Sequence, residues 1–86
     1  HGGLELMIDA RLEPGAAIGL HRHAATEEVY YLLEGQLTMT TVLADGREVT
    51  AALRPGDAHG VRLGEAHYGR AGPEGCRFLA VGFRGR

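Results

Sequence analysis

The sequence predicts an all-β sandwich or barrel made by a single domain, and three observations favour this fold class. Its 86 residues leave room for one core. Short apolar or alternating runs recur along the chain, separated by turns rich in glycine, of which the sequence has 14. No segment keeps apolar residues at helical spacing for three turns. We therefore expect nearly all of the chain to lie in strands and in the turns between them.

Six runs have the length and composition of β-strands. In chain order they cover residues 4–12, 18–23, 28–33, 36–43, 49–53 and 77–83. Several of them are rich in β-branched or aromatic side chains, which pack well on a pleated surface. Each run is therefore predicted to contribute one strand to the barrel.

Turn signals separate these runs. The Glu-Gly pair at 34–35 and the Ala-Asp-Gly sequence at 44–46 predict hairpin turns, the second through its Asp-Gly pair. The Pro-Gly pairs at 14–15 and 55–56 predict turns between strands, because proline and glycine supply the backbone angles of tight turns.

The composition argues against several classes of function. A net charge of −2 offers no basic face for nucleic acid or an anionic membrane surface. No apolar run approaches the roughly 20 residues that span a bilayer. The sequence contains no lysine, serine, asparagine or tryptophan, which excludes a lysine Schiff base and a serine nucleophile. The side chains that remain suit a metal site.

The expected location is the cytoplasm. The single cysteine, Cys76, cannot form an internal disulfide bond, and no signal peptide is visible. Because the chain begins with His1 rather than methionine, we expect residues to be missing before it. We interpret His1 as a terminal residue rather than a ligand.

The sequence His21-Arg22-His23 is the first candidate for a metal site. Side chains alternate between the faces of a strand, so the two histidines face the same way and Arg22 faces the other. Two imidazoles on one face can bind one metal ion, although such a pair alone is also compatible with a solvated surface.

A glutamate follows these histidines at the start of the next strand. We expect that strand to pair antiparallel with the first across residues 24–27, which would place the carboxylate of Glu28 across from the histidines. Alternation allows either Glu27 or Glu28 to face inward. The spacing to Gly35 favours Glu28.

Residues 15–35 carry a regular pattern of glycine, histidine and glutamate. Gly15 is followed after five residues by His21-Arg22-His23, after four more by Glu28, and after six more by Gly35. Every spacing resembles the first motif of the cupin superfamily, in which a glycine, a His-x-His pair, a glutamate and a glycine recur at these distances.

A second pattern covers residues 56–71. Gly56 is followed after five residues by Arg62-Leu63-Gly64 and then, after two more, by His67. This resembles the second cupin motif, with Arg62 in place of its proline and Ala71 in place of its final asparagine. The metal-binding histidine of that motif corresponds to His67.

The resemblance implies one cupin domain across residues 1–86, with the fold of a double-stranded β-helix or jelly-roll barrel, and a homodimer formed through edge strands. It also implies one divalent transition metal held by His21, His23, Glu28 and His67. Three imidazoles and one carboxylate suit Fe2+, Mn2+, Ni2+, Co2+, Cu2+ or Zn2+, and four protein ligands leave about two positions open on an octahedral ion.

For function, the resemblance implies metal-dependent chemistry on a small oxygenated organic substrate. The reaction would be that of an oxygenase, or of a Lewis-acid isomerase, cyclase, decarboxylase or lyase. Tyr30 and His59 are the first candidates for proton transfer. The alternatives are that Tyr30 packs between the sheets and that His59 is a surface or half-buried histidine with a backbone partner.

A non-enzymatic function is the competing hypothesis: a small-ligand-binding or sensing cupin in which the metal is structural. Residues 1–86 show no helix-turn-helix segment, which counts against a sensor that regulates transcription unless the missing start contains one.

Overall fold

The structure, a computed structural model, describes residues 4–22 and 26–84. The all-β prediction is confirmed, since these residues form six strands and no helix. The strands are β1 (Leu4–Leu12), β2 (Ala17–Arg22), β3 (Thr26–Val42), β4 (Glu48–Leu53), β5 (Ala58–Val61) and β6 (Ala66–Arg84). A search of the same residues for a helix that could cross a membrane finds none.

Two long strands organise the molecule. β3 and β6 pair antiparallel from Thr26 opposite Arg84 to Val42 opposite Ala66. The first half of β3 also pairs with β5 and its second half with β4. The second half of β6 pairs with β1 and its first half with β2. The result is two four-stranded layers, β1-β6-β3-β5 and β2-β6-β3-β4, which we call the first and the second layer.

Both long strands bend where they pass from one layer to the other. Gly35 in β3 and Gly75 in β6 have positive φ angles of 78° and 77°, which an L-residue with a side chain adopts only with strain. A Cβ atom at Gly35 would also collide with the carbonyl oxygen of Gly75. Register irregularities fall at the same level, between Leu32 and Leu37. The two glycines therefore allow one continuous ladder to serve both layers.

The predicted hairpin turn at 34–35 is wrong for this reason: the chain bends there, but β3 continues on both sides. The turns at 14–15, 44–46 and 55–56 are confirmed, and in the second the Gly46 amide donates to the Leu43 carbonyl over 2.9 Å. The sequence prediction missed β5 and the first half of β6, because residues 58–61 and 66–76 are interrupted by glycine and polar residues.

The predicted pairing of the His-x-His strand with the strand of Glu28 is also wrong. Among the described residues β2 pairs with β6, and His21 lies opposite His67. The first half of β6 is placed between β2 and the second half of β3. The histidine strand therefore belongs to the second layer, whereas Glu28 belongs to the first.

The core lies between the two layers. Leu32 comes from the first-layer half of β3, and Leu37 and Met39 come from the second-layer half, all with at most 1% exposure. Val61 of β5 and Phe78 of β6 join the same cluster. Burying each large apolar side chain contributes roughly 1.5–3 kcal/mol to folding. This packing holds the two layers face to face and fixes the strands that carry the candidate site.

Candidate functional site

Glu28 is the buried member of the Glu27–Glu28 pair. Its residue exposure is 9%, whereas Glu27 is exposed. Alternation along β3 turns Glu28, Tyr30 and Leu32 toward the core and their neighbours outward. The carboxylate of Glu28 thus lies inside the barrel, as the predicted metal site requires.

His67 is fully buried on β6 in the second layer. It lies between Thr41 of β3 and His21 of β2, each directly opposite it in a ladder. Its Nε2 atom lies 3.5 Å from Oε1 of Glu28. The fold therefore brings together a histidine of one layer and a glutamate of the other, 39 positions apart in the sequence (67 − 28).

Only part of the predicted ligand set can be tested by geometry. His21 is described by its place in the ladder opposite His67, and His23 lies outside the described residues. Among the side chains that the structure describes, no third histidine, cysteine, aspartate or glutamate completes a metal-binding group with Glu28 and His67.

The Glu28–His67 pair fits a metal site in its chemistry and spacing. Imidazole nitrogen and carboxylate oxygen are the donors that divalent transition metals bind. Two such donors at about 2.1 Å from one ion lie roughly 3.0–3.4 Å apart in octahedral or tetrahedral geometry. The observed 3.5 Å between Nε2 and Oε1 is close to this separation.

Tyr30 supports this pair from the core side. Its hydroxyl donates a 2.8 Å hydrogen bond to Oε1 of Glu28, and its ring centre lies 5.3 Å from that of His67. Burial, together with the contact to Glu28, raises the pKa of Tyr30. Tyr30 therefore remains a protonated phenol that donates to the carboxylate.

His59 lies in β5 directly opposite Tyr30. Its Nε2 atom is 2.8 Å from the hydroxyl oxygen of Thr41 in the second layer. Burial lowers the pKa of His59, and the charge of Glu65 partly opposes this effect. The sequence analysis did not single out Thr41. Thr41 lies two residues after the apolar Met39, so alternation could have indicated that Thr41 faces inward. Its partner His59, however, is 18 residues away on β5, a strand that was not predicted.

A cavity of about 530 Å³ opens beside these residues. Glu28, Thr41 and His59 line it, together with the charged side chains of Arg62 and Glu65. Tyr30 and His67 are buried and do not belong to its lining. The cavity is large enough for a small organic molecule.

Comparisons with known proteins agree with this architecture. A family model described as a cupin domain matches residues 8–82. An oxalate-binding protein of Thermotoga maritima is 32% identical over 82 residues, which cover 94% of this chain and 64% of that protein. The chain thus spans less than two thirds of the length of this relative.

Solved structures show the same fold. A predicted oxalate decarboxylase from Thermotoga maritima superposes with a TM-score of 0.78 at 29% identity, covering 94% of this chain and 67% of the other. A variant of the oxalate decarboxylase of Bacillus subtilis gives 0.81 at 33% identity, covering 91% and 20%. The Bacillus enzyme has Mn(II) centres. With its two-layered barrel and the match over nearly its whole length, this chain belongs to the cupin family.

Proposed function

We propose that this chain is a mononuclear metal-dependent cupin that acts on a small oxygenated organic acid, for which oxalate is the first ligand to test. The observation that carries the proposal is the buried pair of Glu28 and His67 at 3.5 Å, with Glu28 in the wall of a 530 Å³ cavity. The similarity to an oxalate-binding protein and to oxalate decarboxylases supports this choice of ligand.

The metal ligands in this proposal are His21, His23, Glu28 and His67. A divalent ion held by them supplies a positive charge and Lewis acidity for a carboxylate or carbonyl oxygen. Mn(II) is the first ion to test, because the similar Bacillus decarboxylase contains it. Glu28 and His67 lie on the paired strands β3 and β6, which would hold the donor atoms of these two ligands in place.

The charges of the cavity make ligand binding dependent on the metal. The carboxylates of Glu28 and Glu65 line it, with Arg62 as a cation. A dianion such as oxalate is repelled by two carboxylates at short range, since charges interact strongly where water is partly excluded. A divalent cation coordinated by Glu28 reverses the sign of this interaction. Metal-free protein is therefore expected not to bind oxalate.

Of the two residues predicted for proton transfer, His59 is the one that lines the cavity. Its lowered pKa keeps it neutral at physiological pH, so it can accept a proton from a bound molecule. The hydroxyl of Tyr30 is engaged with Glu28. In this proposal Tyr30 therefore acts by holding the carboxylate, and His59 by exchanging protons.

Binding without turnover is the second candidate function. It is favoured by the 32% identity to a relative that is named for binding oxalate rather than for a reaction. The two candidates share the metal site and differ in whether a bond of the ligand is broken. A cavity with polar groups placed around the ligand serves either purpose.

The test follows 13C-labelled oxalate by NMR with Mn(II)-loaded and metal-free protein, together with oxygen uptake. Labelled formate and carbon dioxide in equal amounts identify a decarboxylase. Stoichiometric oxygen consumption with carbon dioxide as the labelled product identifies oxidation of oxalate by dioxygen. If calorimetry shows that oxalate binds and NMR shows that the oxalate is not converted, the protein has the binding function. No binding and no turnover by the Mn(II)-loaded protein would contradict the choice of oxalate, and binding that is equal without metal would contradict the proposed site.

A further inference from the structure

The contact between Thr41 and His59 joins the two layers across the barrel. His59 belongs to β5 of the first layer, and Thr41 belongs to the second-layer half of β3. Their side chains meet at 2.8 Å between Oγ1 and Nε2. Thr41 is 5% exposed, and His59 is half-buried. Such a hydrogen bond is little weakened by competition with water and orients the imidazole ring.

The place of this pair in the fold ties it to the candidate metal site. Thr41 lies directly opposite His67 in the β3–β6 ladder. His59 lies opposite Tyr30, and the neighbouring pair in that ladder is Glu28 opposite Val61. His59 and Glu28 are thus diagonal neighbours on one face, for which backbones are roughly 7–8 Å apart. Both side chains line the cavity of about 530 Å³, which has room for a small ligand beside them.

The hydrogen bond also decides which atom of His59 can meet a ligand. Nε2 is engaged by Thr41, and within the described part of the chain Nδ1 has no recorded partner. Arg62 lines the same cavity, but it is exposed. A ring held in one orientation loses less conformational entropy on binding than a long exposed side chain does.

We propose that His59 makes a polar contact to the ligand beside Glu28, and that Thr41 is the positioning residue that fixes the His59 ring for this contact. The proposal rests on the proposed function and deepens it, because it assigns ligand recognition to a residue pair outside the metal ligands.

The chain offers a matched control in the adjacent residue. Thr40 is 6% exposed and its hydroxyl lies 2.9 Å from that of Thr50. It is thus as buried as Thr41 and also makes one side-chain hydrogen bond, but it does not line the cavity. T41V and T40V each remove one hydroxyl with nearly unchanged volume, and T41S retains the hydroxyl at position 41.

Two readouts test the proposal. The first is the affinity of Mn(II)-loaded protein for oxalate, with the metal content measured for each variant. We expect T41V to weaken binding about tenfold, as the loss of one well-placed hydrogen bond does, and H59Q to weaken it at least as much. T41S and T40V should bind like the unmodified protein, and all four should retain their manganese.

The second readout is the tautomer of the His59 ring in metal-free protein, from long-range 15N–1H NMR correlations. T41V should change the tautomer ratio and T40V should leave it unchanged. An unchanged ratio in T41V, equal losses of affinity in T41V and T40V, or loss of manganese in T41V would each overturn the proposal. If the unmodified Mn(II)-loaded protein does not bind oxalate, both the proposed function and the contact of His59 with the ligand are contradicted. The tautomer ratio reports on the role of Thr41 alone.

Discussion

At the scale of single residues, the carboxylate of Glu28 is the centre of the candidate site. Its Oε1 atom accepts a hydrogen bond from Tyr30 and lies 3.5 Å from Nε2 of His67. A buried carboxylate without such contacts would be costly, since transfer of its charge out of water is unfavourable. The contacts hold it in one orientation, and a carboxylate held in this way is prepared to bind a cation.

Tyr30 and Tyr31 test the contribution of the Tyr30–Glu28 hydrogen bond. Tyr30 is buried and donates to Glu28, whereas Tyr31 faces outward and is exposed. Y30F should lower the free energy of unfolding of the metal-free protein by about 1–2 kcal/mol, because a buried acceptor loses its donor. Y31F should change it by less than about 0.5 kcal/mol. Urea unfolding followed by circular dichroism measures both, and equal effects would contradict the role given to Tyr30.

His59 gives the stability a pH dependence of known sign. Burial lowers its pKa in the folded protein below the ordinary value of 6.5. Below about pH 6.5 the unfolded chain therefore binds the proton more readily, and the contribution of His59 to stability falls until the lowered pKa is reached. Between pH 7.5 and 5.5 the metal-free protein should lose more stability than its H59Q variant. Parallel losses in the two proteins, measured by urea unfolding, would show that the His59 pKa is not lowered.

At the scale of elements, the bend of β3 shows where sequence signals are ambiguous. A glutamate-glycine pair between two apolar runs is typical of a hairpin, but the same positive φ at Gly35 allows a single strand to bend and continue. Whether the pair forms a hairpin turn or a bend depends on whether the neighbouring strand bends at the same level. That bend is at Gly75 of β6, 40 positions away (75 − 35), so no local pattern around Gly35 reveals it. The short β5 was missed for a similar reason, since its residues become a strand only through pairing with β3.

Alanine substitutions at Gly35 and Gly46 distinguish the cost of a strained backbone from the cost of a steric collision. Both have positive φ angles, 78° and 90°, but a Cβ at Gly46 would meet nothing within 4 Å, whereas one at Gly35 would collide with Gly75. G46A should cost about 1–2 kcal/mol, the cost of a left-handed backbone for alanine. G35A should cost about 3 kcal/mol or more. Thermal and urea unfolding of the two variants measure this difference, and equal costs would contradict the close approach of β3 and β6.

At the scale of the whole molecule, more of the fold and the family than of the site could be predicted from the sequence. The motif could be predicted because the spacing of Gly15, Glu28 and Gly35 is local in sequence. The turn at 44–46 could be predicted for the same reason, from its Asp-Gly pair. The pairing of Thr41 with His59 depends on how the two layers face each other, and no local pattern encodes it. The inward position of Glu28 was predicted from its spacing to Gly35, because alternation alone left Glu27 equally possible, whereas the partner strand of His21 required the long-range ladder.

The homodimer stays a prediction, and the structure suggests a surface for it. The outer face of the first layer exposes Met7, Val29, Tyr31 and Phe83, whereas the outer face of the second layer exposes the polar side chains of Thr38 and Arg70 beside Tyr68. We expect a second copy of the chain to cover the apolar face. In sedimentation experiments V29E should be monomeric, and T38E should remain dimeric. A monomeric unmodified protein would contradict the dimer, and a dimeric V29E would place the contact elsewhere, such as the edge strands.

The manganese content of three proteins tests the central claim most directly. The unmodified chain, E28Q and E27Q are loaded with Mn(II), freed of excess ion by desalting and measured by elemental analysis. Because Glu28 is buried beside His67 and Glu27 is exposed, we expect about one ion per chain in the unmodified protein and in E27Q. E28Q should retain far less, since loss of a ligand carboxylate should weaken binding by at least the roughly 10–100-fold that loss of an outer-shell partner costs. A full complement of manganese in E28Q, or none in the unmodified chain, would contradict a metal site built on Glu28.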